Sequence, residues 1–131
     1  MKKFEFQNSP SSLKEVRVAI EKFFSEKKIN DIELESDMKL ASVELAANIV
    51  KHSTGSSKFI FTISKKQNNI NIIFEYTDIN FVKPVSDKKI DIPKENGYGL
   101  YIVEKLCDKL SFNYKKKLGK VKVSCEKRIT S

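Results

Sequence analysis

Arginine is almost missing from this basic chain of 131 residues: only Arg17 and Arg128 accompany the many lysines that bring the net charge to +8. Bidentate readout of nucleic-acid bases relies on the planar fork of Arg, whereas Lys is a strongly hydrated point charge. No aromatic-rich strand of the kind that stacks RNA bases is present either. A Lys-rich solvated surface is therefore favoured over a nucleic-acid groove, and an acidic protein partner stays open. Glycine and proline are scarce, at four and three residues, while 40% of the chain is hydrophobic and 10% aromatic, which excludes extended disorder. Cys107 and Cys125 have neither CxxC nor Cys/His spacing, which argues against zinc and makes each a small apolar residue in or near the core. No apolar run approaches the roughly 20 residues that cross a bilayer. The start, Met1-Lys-Lys-Phe-Glu-Phe, alternates instead of forming a signal-peptide core. These absences predict a soluble cytoplasmic protein folded as one domain over 1–131.

What is present has clear periodicity. Residues 3–7 alternate as a half-buried strand does. Asn8-Ser-Pro-Ser-Ser supplies turn chemistry, with Ser11 or Ser12 as N-cap and Glu15 placed as in a capping box. A first helix is expected from Leu13 to Ser25, burying Val16, Ile20, Phe23 and Phe24. A second is expected to begin at Ser36 or Asp37 and to stop at Ser53-Thr-Gly-Ser-Ser. Phe59 to Ser64 and Ile70 to Tyr76 read as a β-hairpin whose second strand is central, being apolar on both faces. Residues 77–96 form a long loop, and ordered loops of that length tend to be lids or binding loops. Gly97-Tyr-Gly99 opens a third helix with Leu100, Val103, Leu106 and Leu110 on one stripe, and strands Leu110 to Lys115 and Lys120 to Lys127 flank a turn at Leu118-Gly119.

Two stretches carry chemistry. In Glu44-Leu-Ala-Ala-Asn48-Ile-Val-Lys-His52 the polar side chains recur every fourth position, so a carboxylate, a carboxamide and an imidazole share one helix face. Glu can act as a base, and Asn can offer a carbonyl oxygen to a hard cation such as Mg²⁺. Taken alone, the stripe is better explained as the solvated polar edge of an amphipathic helix. His52 is the only histidine, and at the helix end it suits the C-terminal carbonyls better than chemistry. The second stretch is Glu95-Asn-Gly97-Tyr-Gly99-Leu100. Glycine lets a backbone approach a phosphate closely, and the free N–H groups of a helix N-terminus favour an anion.

In this order the two stretches resemble the N box and the second glycine box of the GHKL ATPase superfamily, and within it the anti-sigma factor serine-protein kinases. The resemblance covers nearly the whole chain. It implies an α+β fold: a two-layer α/β sandwich, a mostly antiparallel mixed sheet with three helices on one face. It also implies ATP and Mg²⁺ as cofactors, with Asn48 holding the metal and Glu44 taking the proton of an attacking serine. The segment from Phe81 to Asn96 would be the ATP lid; Gly97, Tyr98, Gly99 and Leu100 would meet the nucleotide, and Lys83, Lys88 or Lys89 a terminal phosphate. The family's Asp-x-Gly-x-x-Phe adenine motif departs here. Anchoring on Phe81 puts Tyr76 at the Asp and Asp78 at the Gly; sliding the register makes Asp78 the adenine ligand and puts Asn80 at the glycine. The implied partners are a sigma factor and an anti-anti-sigma antagonist, with a homodimer as the assembly and neither nucleic acid nor membrane contacted. A binding-only relative that has lost productive ATP binding is the alternative, and a basic nucleic-acid-binding domain ranks last.

Overall fold

All strand pairings are antiparallel in the computed structural model, which describes residues 1–53, 55–82 and 98–130, the side chain of Tyr98 excepted. The elements run β1 (Lys2–Gln7), α1 (Ser12–Glu26), α2 (Ile32–His52), β2 (Lys58–Lys66), β3 (Asn69–Thr77), α3 (Tyr98–Leu106), β4 (Lys109–Lys115) and β5 (Lys120–Arg128). They form a five-stranded sheet in the order β1-β2-β3-β5-β4, with three helices packed against it, the expected two-layer α+β sandwich. Each strand turns one face toward the helices because its apolar residues alternate. On β3 these are Ile70, Ile72 and Phe74, and on β5 Val121, Val123 and Cys125, all buried.

Opposite them lie Val16, Ile20, Phe23 and Phe24 of α1 and Met38, Ala41, Leu45 and Ile49 of α2. Each large side chain taken fully from water contributes about 1.5–3 kcal/mol. Aromatic rings continue the packing, with Phe61 and Phe74 centred 5.0 Å apart. Helix α2 is the middle helix, packing on both α1 and α3. Lys39 on α2 reaches Glu21 of α1 at 2.9 Å. Among the described residues no helix is long and apolar enough to cross a membrane.

Four expectations are corrected. Helix α2 begins at Ile32, a turn before Ser36, because the Asp31 side chain accepts the Leu34 N–H at 3.0 Å and Glu33 and Glu35 suit the positive end of the helix. The capping box is not formed: Ser11 makes no side-chain cap bond, and the Ser12 hydroxyl donates to the Ser9 carbonyl at 2.7 Å. Leu110 belongs to β4, since α3 ends at Leu106. The cysteines are paired as a disulfide, Cα to Cα 6.0 Å, because Leu110 lies opposite Cys125 and brings the end of α3 over β5.

Candidate functional site

A cleft of about 290 Å³ opens between the C-terminal half of α2, the ends of β3 and β5, and the start of α3. Its α2 wall carries Asn48 and His52, two of the three members of the polar stripe, over an apolar floor that includes Leu45 and Ile49. Glu44 sits one turn further toward the helix N-terminus and is half-buried. It meets α3 there: a β-carbon built on Gly99 would run into the Glu44 carboxylate. Glycine at 99 thus leaves room for the Glu44 carboxylate beside α3.

The end of α2 is held in place by local chemistry. Ser53 donates both its backbone N–H, at 3.0 Å, and its hydroxyl, at 2.6 Å, to the Ile49 carbonyl in the last turn. Asn8 in turn donates to the Ser53 oxygen at 2.8 Å and to the Ser56 carbonyl at 2.8 Å. The capping expected of His52 is therefore supplied by Ser53, while the exposed imidazole borders the cleft.

On the sheet side, residues two apart on a strand share a face, so the inward series of β3 continues through Tyr76 to Asp78. Both line the cleft. Asp78 is buried, at 6% exposure. Its backbone N–H donates to the Gly119 carbonyl at 2.7 Å, and its carboxylate accepts the Asn80 N–H at 3.1 Å. Burial first, and then the negative charge of Asp78, push the Tyr76 hydroxyl well above its ordinary titration range, so it stays protonated. Phe81 packs between Phe112, at 6.2 Å, and Tyr114, at 5.1 Å. Asn80 is not left-handed, so the conformational tolerance of Asn is not used there.

The structure thus brings together Asn48, Asp78 and Leu100 around one cleft, with Glu44 and Gly99 in mutual contact beside it. Lys83 and Gly97, with Lys88, Lys89 and the expected lid from Lys83 onward, lie outside the described residues, as does the Tyr98 side chain. Asp108 serves structure instead: its carboxylate accepts the Arg128 N–H at 2.6 Å. Sequence reasoning missed the wall formed by Phe112 and Val123. The only signal for these was their inward place in an alternating strand.

With this geometry in hand, comparison with known proteins is decisive at the family level. The profile of the histidine kinase-like ATPase domain matches residues 6–125. The chain belongs to that family. Among solved structures, the catalytic domain of histidine kinase ThkA in a nucleotide-free form superposes with a TM-score of 0.55 at 14% identity, covering 98% of this chain and 97% of that one. At that identity the likeness establishes the shared fold of the ATPase domain alone. No curated protein sequence is similar enough to the chain to count as a match.

The residues on the cleft fit the metal such a domain uses with its nucleotide. Among the described residues there is no cluster of three His, Cys, Asp or Glu side chains able to cage a cation. Among the described residues the cleft is lined by two carboxamides, of Asn48 on the α2 wall and of Asn80 beyond β3. This donor set suits Mg²⁺, which keeps several waters and is held through few protein ligands together with substrate phosphates.

Proposed function

We propose that this histidine kinase-like ATPase domain is a cytoplasmic anti-sigma regulatory factor with ATP-dependent serine-protein kinase activity. It binds a sigma factor and phosphorylates an anti-anti-sigma antagonist, working as a homodimer. The observation that carries the reading is the contact of Glu44 with Gly99, one helical turn from Asn48 on the cleft. A carboxylate held at the start of the glycine-led helix is where a base for phosphoryl transfer to a hydroxyl is needed. The motif resemblance, from Glu44 in the first stretch to Gly99 in the second, supports reading the chain as one of the family's serine kinases.

In this reading the cleft orders the nucleotide along its length. Asp78, buried below the cleft, accepts the adenine amino group, and protonated Tyr76 closes the same end. Leu45, Ile49, Leu100 and Phe112 exclude water from the base. The start of α3 meets the phosphates, and Asn48 would hold Mg²⁺, which when bound would supply positive charge against the phosphate oxygens. Glu44 takes the proton of the antagonist's serine hydroxyl as its oxygen bonds to the terminal phosphorus and the bond to the ADP oxygen breaks. Positioning and charge stabilisation supply most of the rate in such transfers.

Calorimetric titration with Mg·ATP tests the first half of this reading. Binding is expected, lost in Asn48→Ala, and Glu44→Ala is expected to keep the affinity while abolishing phosphotransfer to a serine-containing antagonist. Absence of heat at millimolar ATP would instead establish the binding-only relative. Undiminished transfer by Glu44→Ala would remove Glu44 from the role of base.

A further inference from the structure

We infer that the β4–β5 end of the sheet is a docking surface for an acidic, amphipathic segment of a partner protein. No Asp or Glu lies between Asp108 and Glu126, and Lys115, Lys116, Lys117, Lys120 and Lys122 fall at or near the turn, all five exposed; Lys109 stands at the other end of β4, opposite Glu126, and Lys122 has Glu75 across from it on β3. None of these lysines is in an ion pair among the described residues, although lysines elsewhere are: Lys2, Lys39, Lys58 and Lys127 each reach a carboxylate. Lys115 and Lys120 are directly opposed across β4 and β5. Like charges in that position destabilise a sheet, and an anionic partner would relieve the repulsion.

The centre of this basic rim is apolar. Leu118 at the tip of the turn is 62% exposed, and Ile79 is 63% exposed. They adjoin, because Gly119 is buried under Ile79: a β-carbon there would come within 3.1 Å of the Ile79 side chain. Exposed aliphatic groups ringed by unpaired cations match the chemistry of a segment that carries both carboxylates and apolar anchors. Single-stranded nucleic acid is a poorer fit, since aliphatic side chains give bases no stacking platform and no Arg is present on this surface. An anionic membrane is poorer too, because the aromatic ring at the patch, that of Tyr114, is half-buried and donates its hydroxyl to the Ile79 carbonyl at 3.4 Å.

The surface adjoins the cleft through the 2.7 Å bond from the Asp78 N–H to the Gly119 carbonyl, yet its occupancy is measurable without nucleotide. The probe is a fluorescein-labelled peptide of alternating glutamates and leucines, followed by anisotropy with the full chain at physiological ionic strength. Saturable binding is expected. Leu118→Ser should weaken it, and the triple variant K116E/K117E/K120E should weaken it by at least about tenfold, as three rim charges together imply. The variant K3E/K65E/K66E makes the same change in charge on β1 and β2, away from the β4–β5 turn, where Lys66 opposes Asn69 and Lys3 opposes Thr62, and should bind as the unaltered chain does. The inference is overturned if no saturable binding occurs or if both triple variants lose it equally. It is also overturned if labelled oligothymidylate, or equimolar phosphatidylcholine and phosphatidylserine vesicles, bind more tightly than the peptide.

Discussion

Replacing Gly99 by alanine should separate stability from activity, because two opposed effects of one methyl group act on different quantities. Gly99 is helical and does not need a positive φ, so alanine can adopt its backbone conformation. The propensity difference favours alanine by up to about 1 kcal/mol within a helix, and less in the first turn. Against this stands the collision of the new methyl with the Glu44 carboxylate. The colliding atoms are the far end of a flexible side chain that is only half-buried, so the carboxylate can swing aside while the helices keep their places. Thermal unfolding should therefore shift by no more than a few degrees in either direction. Phosphotransfer should fall much further, since a displacement of about 1 Å in a catalytic group can reduce a rate by about 10²-fold. The assay is a double-mutant cycle: unfolding and transfer are measured for Gly99→Ala, Glu44→Ala and the pair. Strong non-additivity in transfer is expected, the second change having little left to remove. The reasoning fails if Gly99→Ala unfolds the protein, which would make glycine a need of the backbone, or if transfer proceeds at full rate with a methyl against Glu44.

Three further outcomes follow from the core. Reducing the Cys107–Cys125 bond, which closes a loop with a sequence separation of 18, should lower stability by about 3 kcal/mol on the chain-entropy scale; denaturant melts with and without a dithiol measure it, and equal midpoints would show that the bond does not constrain the unfolded chain. Ser42 is fully buried with no partner for its hydroxyl among the described residues, so Ser42→Ala should hold or raise stability by about 1 kcal/mol, whereas a clear loss would point to a partner for that hydroxyl. The upward shift of Tyr76 makes the folded state bind its proton more tightly than the unfolded state does. Its contribution is therefore complete below about pH 10, the unfolded value, and declines as pH rises beyond that. Tyr76→Phe should flatten the alkaline fall in melting temperature, and an unchanged fall would assign it to other groups.

Much of the architecture was legible because period and burial coincide. Ile70, Ile72 and Phe74 alternate and are buried, and Val16, Ile20 and Phe23 recur at helical spacing and are buried as well. The start of α2 was not legible, since two cap sequences compete. Ser36 and Asp37 stand close to the apolar run, whereas Asp31 precedes an exposed Ile32 and a charged first turn. The disulfide was hidden for a different reason. It depends on the register that sets Leu110 against Cys125, a long-range pairing that spacing in the chain does not encode. In the candidate site, the α2 stripe was readable at once from its four-residue repeat. The base end was ambiguous because the motif letters were misplaced by two positions, and two positions along a strand return to the same face. Tyr76 and Asp78 consequently both reach the cleft, and the choice between registers turns on chemistry instead of direction.

The strand order gives the two ends of the cleft unequal mechanical footing. Asp78 follows β3, the central strand, whose amides are bonded on both sides by β2 and β5. Gly99 begins α3, a helix of nine residues at the flank of the helical layer. Amide hydrogens should exchange last along β3 and much sooner along α3, since local opening follows the density of protecting contacts. The Asp78 end of the cleft is then an anvil that keeps its shape between encounters. The Gly99 end is the jaw that moves, and whatever enters is gripped from one side only.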